Sequence, residues 1–131
     1  MIYTKGVLFF LLFSLAFPQT QLGADIDGEA AADQSGWSVS MSSNGSRLAI
    51  GANNNAGNGS ASGHVRVYEY ANSAWTQLGA DIDGEAAGDQ SGWSVSMSSD
   101  GSRVAIGATG NDGNGTTSGH VRVYELSLIH I

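Results

Sequence analysis

The feature that most constrains this chain is an internal repeat. Residues 20–69 align with residues 76–125 at an offset of 56 and differ only at positions 32, 44, 48, 53, 54, 56, 60 and 61, leaving 42 identities in 50. A unit of this size, copied almost unchanged, must fold twice in the same way and bury its apolar face against its neighbour, so the repeat settles the architecture before any local pattern does. The expected divisions are residues 1–19, 20–75, 76–125 and 126–131.

The two ends differ from the repeats. Lys5 followed by the eleven-residue apolar run Val7–Phe17, broken only by Ser14, reads as a secretory signal peptide covering residues 1–19. The run is shorter than the roughly 20 residues a membrane-spanning helix needs, and Ser14 and Ala16 suit a signal peptidase; the alternative is an uncleaved anchor. At the other end the match stops after Glu125. Leu126-Ser127-Leu128-Ile129-His130-Ile131 is what CTG TCT CTT ATA CAC ATC encodes, which resembles a transposase adapter used in sequencing libraries. Residues 126–131 are therefore expected to be an artefact, with the natural protein continuing; the alternative is a genuine terminal strand.

Composition narrows the class. The chain has 19 Gly in 131 residues, about twice the usual share of roughly 7%, and its 41% apolar content is too high for a disordered tail. With no Cys there is no disulfide framework, thiol nucleophile or Cys-ligated metal. A net charge of -7 without clustered Lys or Arg argues against nucleic acid or an anionic membrane as partner.

Within each copy the hydrophobic period is two. Trp37, Val39 and Met41 alternate with Ser38, Ser40 and Ser42, the pattern of a half-buried strand. Leu48, Ile50 and Ala52 alternate with Arg47, Ala49 and Gly51, whose small members let a neighbouring sheet approach. Asn44-Gly45 and Asp100-Gly101 between these runs predict a type I′ hairpin joining strands at 36–43 and 46–52. Gly63–Tyr70 is a third strand, Ala71–Ser73 a short turn, Trp75–Ile82 a fourth strand, and 53–62 a surface loop. The fold class expected is all-β: four short antiparallel strands per repeat, the blade of an incomplete β-propeller, after a helical signal peptide.

The blocks Gly36-Trp37-Ser38-Val39-Ser40, Asn44–Ala52 and Gly63-His64-Val65-Arg66-Val67-Tyr68 resemble the FG-GAP repeat of integrin-α-like β-propellers. The resemblance covers the chain to Glu125, with one departure: Ser-Gly-Trp stands where the family commonly has Phe-Gly. It implies about two blades of a ring that is typically seven-bladed. It also implies a Ca²⁺ loop in the first hairpin of many repeats, but this chain offers only Asn44 or Asp100 there, and one carboxylate cannot supply the several oxygens Ca²⁺ needs.

Other candidates are weighed on their residues. Asp81, Asp83, Glu85 and Asp89, echoed by Asp25, Asp27, Glu29 and Asp33, have calcium-loop-like spacing, but Ala86 stands where the turn wants Gly. The readings are weak Ca²⁺ binding or a solvated acidic loop. His64 and His120 occupy one repeat position, so each is expected to be a structural residue at a strand start and not a unique catalytic base. No Gly-x-Ser-x-Gly elbow occurs, and Gly57-x-Gly59 and Gly113-x-Gly115 lack the spacing of a dinucleotide fingerprint. Trp37, Trp75 and Trp93 could serve as a sugar-stacking platform, but Trp37 and Trp93 fall in phase with the apolar strand face and are expected to be buried between blades. Asn44, Asn58 and Asn114 head sequons that accept glycans only in a eukaryotic secretory pathway.

The sequence thus predicts a secreted or cell-surface propeller that binds an extracellular protein or glycan. No catalytic residue, cofactor or metal is expected, nor any membrane role beyond the signal peptide. The alternative is the propeller portion of an extracellular enzyme whose catalytic region lies elsewhere.

Overall fold

A computed structural model describes residues 17–127. The expected signal peptide lies outside the described residues up to residue 16, as do residues 128–131 of the expected artefact. Two antiparallel sheets make up the fold, and among the described residues there is no helix. The first sheet runs β1 (Ser35–Met41), β2 (Arg47–Ala52), β3 (His64–Ala71), β4 (Ala74–Gln77), with β5 (Ile82–Asp83) also pairing with β3. The second runs β6 (Ser91–Met97), β7 (Arg103–Ala108), β8 (His120–Glu125).

Register decides which side chains share a face, because directly opposed residues point the same way. Ser38 opposes Gly51, which opposes Val65, and Ser40 opposes Ala49, which opposes Val67. This small-residue face turns toward the second sheet and meets Met97, Val104 and Ile106, forming the buried core with Leu78 and Ile82 packed beside it. Gly51 shows why the position stays small: a Cβ there would overlap the carbonyl oxygen of Gly92 and the Ser38 hydroxyl. Hydrogen bonds fasten the sheets where side chains are too short to interlock. Ser38 Oγ donates to Gly92 O (2.7 Å), Met97 N to Ser40 Oγ (2.9 Å), and the buried Arg47 Nη1 to Gly101 O (2.8 Å).

Four expectations change. The fourth strand is not continuous: Gly79, in a left-handed conformation (φ 70°), lies between β4 and β5, so β4 pairs with the end of β3 and β5 with its start. The first hairpin is not a two-residue type I′ turn. Five residues separate β1 from β2, Gly45 N donates to Ser42 O (2.9 Å), and of the Asn44-Gly45 pair only Gly45 (φ 74°) is left-handed. A two-residue turn with both members left-handed occurs instead at Asn72 and Ser73 (φ 52° and 63°), between the paired Ala71 and Ala74. The 53–62 connection is not simply a surface loop, because Asn53, Asn55 and Ser62 are buried. Gly88, Gln90 and Ser91 each donate a backbone hydrogen bond to it, so it clasps the approach to β6.

Fourth, Trp37 and Trp93 are not buried between the sheets: they are 49% and 39% exposed. The register of β1 slips between Ser35 and Ser38, and that of β6 between Ser91 and Ser94, so each Trp lies in a bulge, out of phase with the valine and methionine that follow it. The two rings pack on each other, 5.0 Å between centroids at 50°.

Candidate functional site

The start of β1, the end of β2, the start of β3 and β5 all lie at one end of the first sheet, as the pairs Ser35–Ala52, Ala52–His64 and His64–Asp83 require. The acidic segments 25–33 and 81–89 and the 53–62 connection enter or leave the strands there. This end therefore collects most of the carboxylates of each repeat.

Three of the chain's titratable groups converge at this end. His64, at the head of β3 and only 1% exposed, points Nδ1 at Asp81 Oδ2 (3.7 Å) and Glu29 Oε1 (3.9 Å). Asp81 accepts a hydrogen bond from Gln77 Nε2 (2.6 Å). Arg66, two residues along the same face of β3, brings Nε to 3.8 Å from Glu29 and donates from Nη2 to Asp27 O (2.7 Å). The hydrogen bond between the Glu29 carboxyl and Asp81, with burial adding to it, raises the Glu29 pKa above 4.5. Burial opposes ionisation of Asp81, but hydrogen bonds from Gln77 and Glu29 outweigh it and hold its pKa below 3.8. Burial pushes His64 below 6.5, against the pull of Asp81, so the imidazole is neutral at pH 7. The arrangement is a hydrogen-bonded carboxyl pair, Glu29 and Asp81, beside a neutral imidazole.

Chemically, this trio is suited to clamping. One ligand atom from each member lies within 4.8 Å of the others, a spacing that can admit a small cation. The Arg66 guanidinium already supplies positive charge at the Glu29 oxygen. His64 is sealed from substrate, and its Nε2 has no hydrogen-bond partner, as is also true of His120 Nε2. The second repeat carries part of the same arrangement: Arg122 Nη2 donates to Asp83 O (2.7 Å) and Nη1 lies 3.8 Å from Glu85.

The four acids with calcium-like spacing do not converge. Asp81 joins His64, Glu85 faces Arg122, and the buried Asp89 accepts from Asn111 Nδ2 (2.9 Å), just as Asp33 accepts from Asn55 Nδ2 (2.8 Å). In the β6–β7 hairpin, Asp100 Oδ1 accepts from Ser98 Oγ, Ser102 N and Ser102 Oγ at 2.8, 3.0 and 2.8 Å. Hydrogen bonds from Ser102 and Ser98 take its pKa down to about 2. Asn44 Oδ1 accepts the equivalent three bonds in the first hairpin. Among the sequon residues, Asn58 Nδ2 is engaged with Gly84 O and Glu85 O (2.8 and 3.1 Å). Trp75 pins the start of the first repeat: its Nε1 donates to Leu22 O (2.9 Å) and its ring packs on Tyr70 at 5.1 Å.

Sequence reasoning missed the Glu29–His64–Asp81 trio. Glu29 and His64 were visible as repeated residues, but Asp81 belongs to the next copy, and only the return of β5 onto β3 brings it to His64.

These features define a tandem-repeat antiparallel β protein whose units are joined by close sheet packing and shared polar clasps. A family model described as FG-GAP repeat matches residues 22–68 and 80–124, well over half of the chain, and the chain belongs to that family. Comparison with curated proteins gave no match. Among the described residues, no helix is long and apolar enough to cross a membrane.

Proposed function

We propose that this chain is part of a secreted or cell-surface β-propeller that binds an extracellular protein or glycan and carries out no chemistry of its own. The observation that carries the reading is the pair of exposed tryptophans, Trp37 and Trp93, packed on each other at a tilt near the strand ends where the long connections gather. Exposed Trp is costly to keep in water and is enriched where binding energy concentrates. Its flat, amphipathic ring suits a pyranose face or an apolar side chain equally. FG-GAP membership and the apolar N-terminal run support an extracellular setting. The recurrence of His, Glu and Arg at matching repeat positions supports a structural role for them, which disfavours the reading as part of an enzyme.

The test is binding of the purified chain to immobilised glycans and to a panel of matrix proteins, beside a Trp37→Ala/Trp93→Ala variant. We expect the double variant to keep its far-ultraviolet spectrum and lose at least tenfold in affinity. Binding that is unchanged in the variant would remove the tryptophan pair from the site.

A further inference from the structure

His64 is only 1% exposed, yet neither of its ring nitrogens has a hydrogen-bond partner. Nε2 is buried without one, and Nδ1 stands 3.7 Å from Asp81 Oδ2 and 3.9 Å from Glu29 Oε1, beyond hydrogen-bond reach. Buried polar groups are almost always satisfied, so an imidazole nitrogen aimed between two carboxyls and bonded to neither marks a place for something else. A cation held by all three groups would satisfy the nitrogen and both oxygens at once.

The spacing fits such an ion. Zn²⁺ binds His nitrogen and carboxylate oxygen at about 2.0–2.2 Å, so neighbouring donors of a tetrahedral site stand about 3.4 Å apart. The three donors here lie within 4.8 Å of one another, and the two His64 distances exceed the ideal by only a few tenths of an ångström. The side chains of Glu29 and Asp81 are 44% and 31% exposed, free enough to close that difference and to admit the ion from solvent. Asp81 is already oriented: Gln77 Nε2 donates to its Oδ1, which leaves Oδ2 to face the imidazole. Arg66 does not fill the gap, because its Nη2 is taken by Asp27 O. Asp33 and Asp83 also act on His64 through space, so with Glu29 and Asp81 four carboxyls stand against one guanidinium.

We propose that Glu29, His64 through Nδ1, and Asp81 bind one divalent transition-metal ion of the zinc type, with water completing its coordination. The donor set selects the ion: imidazole suits Zn²⁺, whereas Ca²⁺ takes oxygen ligands. Glu29 and His64 belong to the first repeat and Asp81 to the second, so the ion ties the two repeats together. Among the described residues no other group of three such side chains comes this close, and the expected stoichiometry is one ion per chain.

The full chain, stripped with EDTA, is titrated with Zn²⁺ by calorimetry and with Co²⁺ by visible absorption, beside Glu29→Gln, Asp81→Asn and His64→Gln. Glu85→Gln, which alters the second-repeat counterpart of Glu29, serves as the control. Wild type should bind one ion, develop cobalt bands that zinc bleaches, and unfold at higher urea with zinc than with EDTA. Glu29→Gln and Asp81→Asn should each weaken zinc binding at least tenfold and lose the rise in urea midpoint, while Glu85→Gln behaves as wild type. These two carboxyl variants carry the test if circular dichroism shows the buried His64→Gln misfolded. No zinc binding at millimolar concentration overturns the proposal. So does binding that Glu29→Gln and Asp81→Asn leave unchanged, which would place the ion elsewhere, for instance at His130. Calcium binding that Asp81→Asn abolishes and His64→Gln leaves intact would also overturn it, since the site would then be one of carboxylates alone.

Discussion

His64 is buried and neutral between two carboxyls whose pKa values move apart, Glu29 upward and Asp81 downward. Its folded pKa lies below 6.5, so the unfolded chain takes up a proton at a higher pH than the folded chain does. Its contribution to stability is therefore complete above pH 6.5 and declines as pH falls from there toward the folded value. Glu29 acts in the opposite sense: with its pKa raised above 4.5, it stabilises at low pH and loses that contribution as pH rises through its folded value. Urea unfolding followed from pH 7.5 downward should show stability falling once the pH drops below 6.5. In His64→Gln, with no titrating ring, that part of the decline should vanish. An identical profile in the variant would mean that His64 does not titrate differently on folding.

At the scale of strands, the close approach of the sheets depends on Gly51, where Ala would drive Cβ into the backbone of Gly92. Overpacking against backbone costs about 1–3 kcal/mol, so Gly51→Ala should lower the urea midpoint clearly. Gly107→Ala, at the matching position of the second sheet, displaces only the rotatable Ser94 hydroxyl and should cost about 0.5 kcal/mol or less, measured in dilute solution. Strand positions of this kind were legible because a period of two, with Gly and Ala on one face and Val, Ile or Leu on the other, has few foldings. The exceptions have physical causes. Asn44-Gly45 promised a two-residue turn, but the flanking Ser42 and Ser46 give the Asn44 carbonyl three donors, which a wider loop satisfies. The bulge that exposes Trp37 turns on Gly36 at φ 89°, and the sequence alternation ran through it without interruption. Within the 53–62 connection, Asn and Ser looked solvated, yet short polar side chains are what a buried loop needs to satisfy its own backbone.

For the molecule as a whole, the repeat gives a comparison that few proteins allow, since identical residues occupy different environments only because of where the sheets stack. Val67 and Val123 match across the 56-residue offset, both centred in the third strand of their repeat and opposed by Ala49 and Ala105. Yet Val67 is 1% exposed inside the core and Val123 is 66% exposed. Truncation to alanine removes the equivalent of two methylenes, worth about 0.8 kcal/mol each when buried, and leaves a cavity in a core that relaxes only partly. Val67→Ala should therefore cost about 2 kcal/mol. Val123→Ala, measured dilute enough to keep copies apart, should cost under about 0.5 kcal/mol. Because the core residues of both sheets form one cluster, Val67→Ala should lower the stability of the second sheet too, and amide exchange in β7 should accelerate along with that in β3. Equal costs for the two variants, or exchange that changes in the first sheet alone, would mean that the sheets fold as separate units.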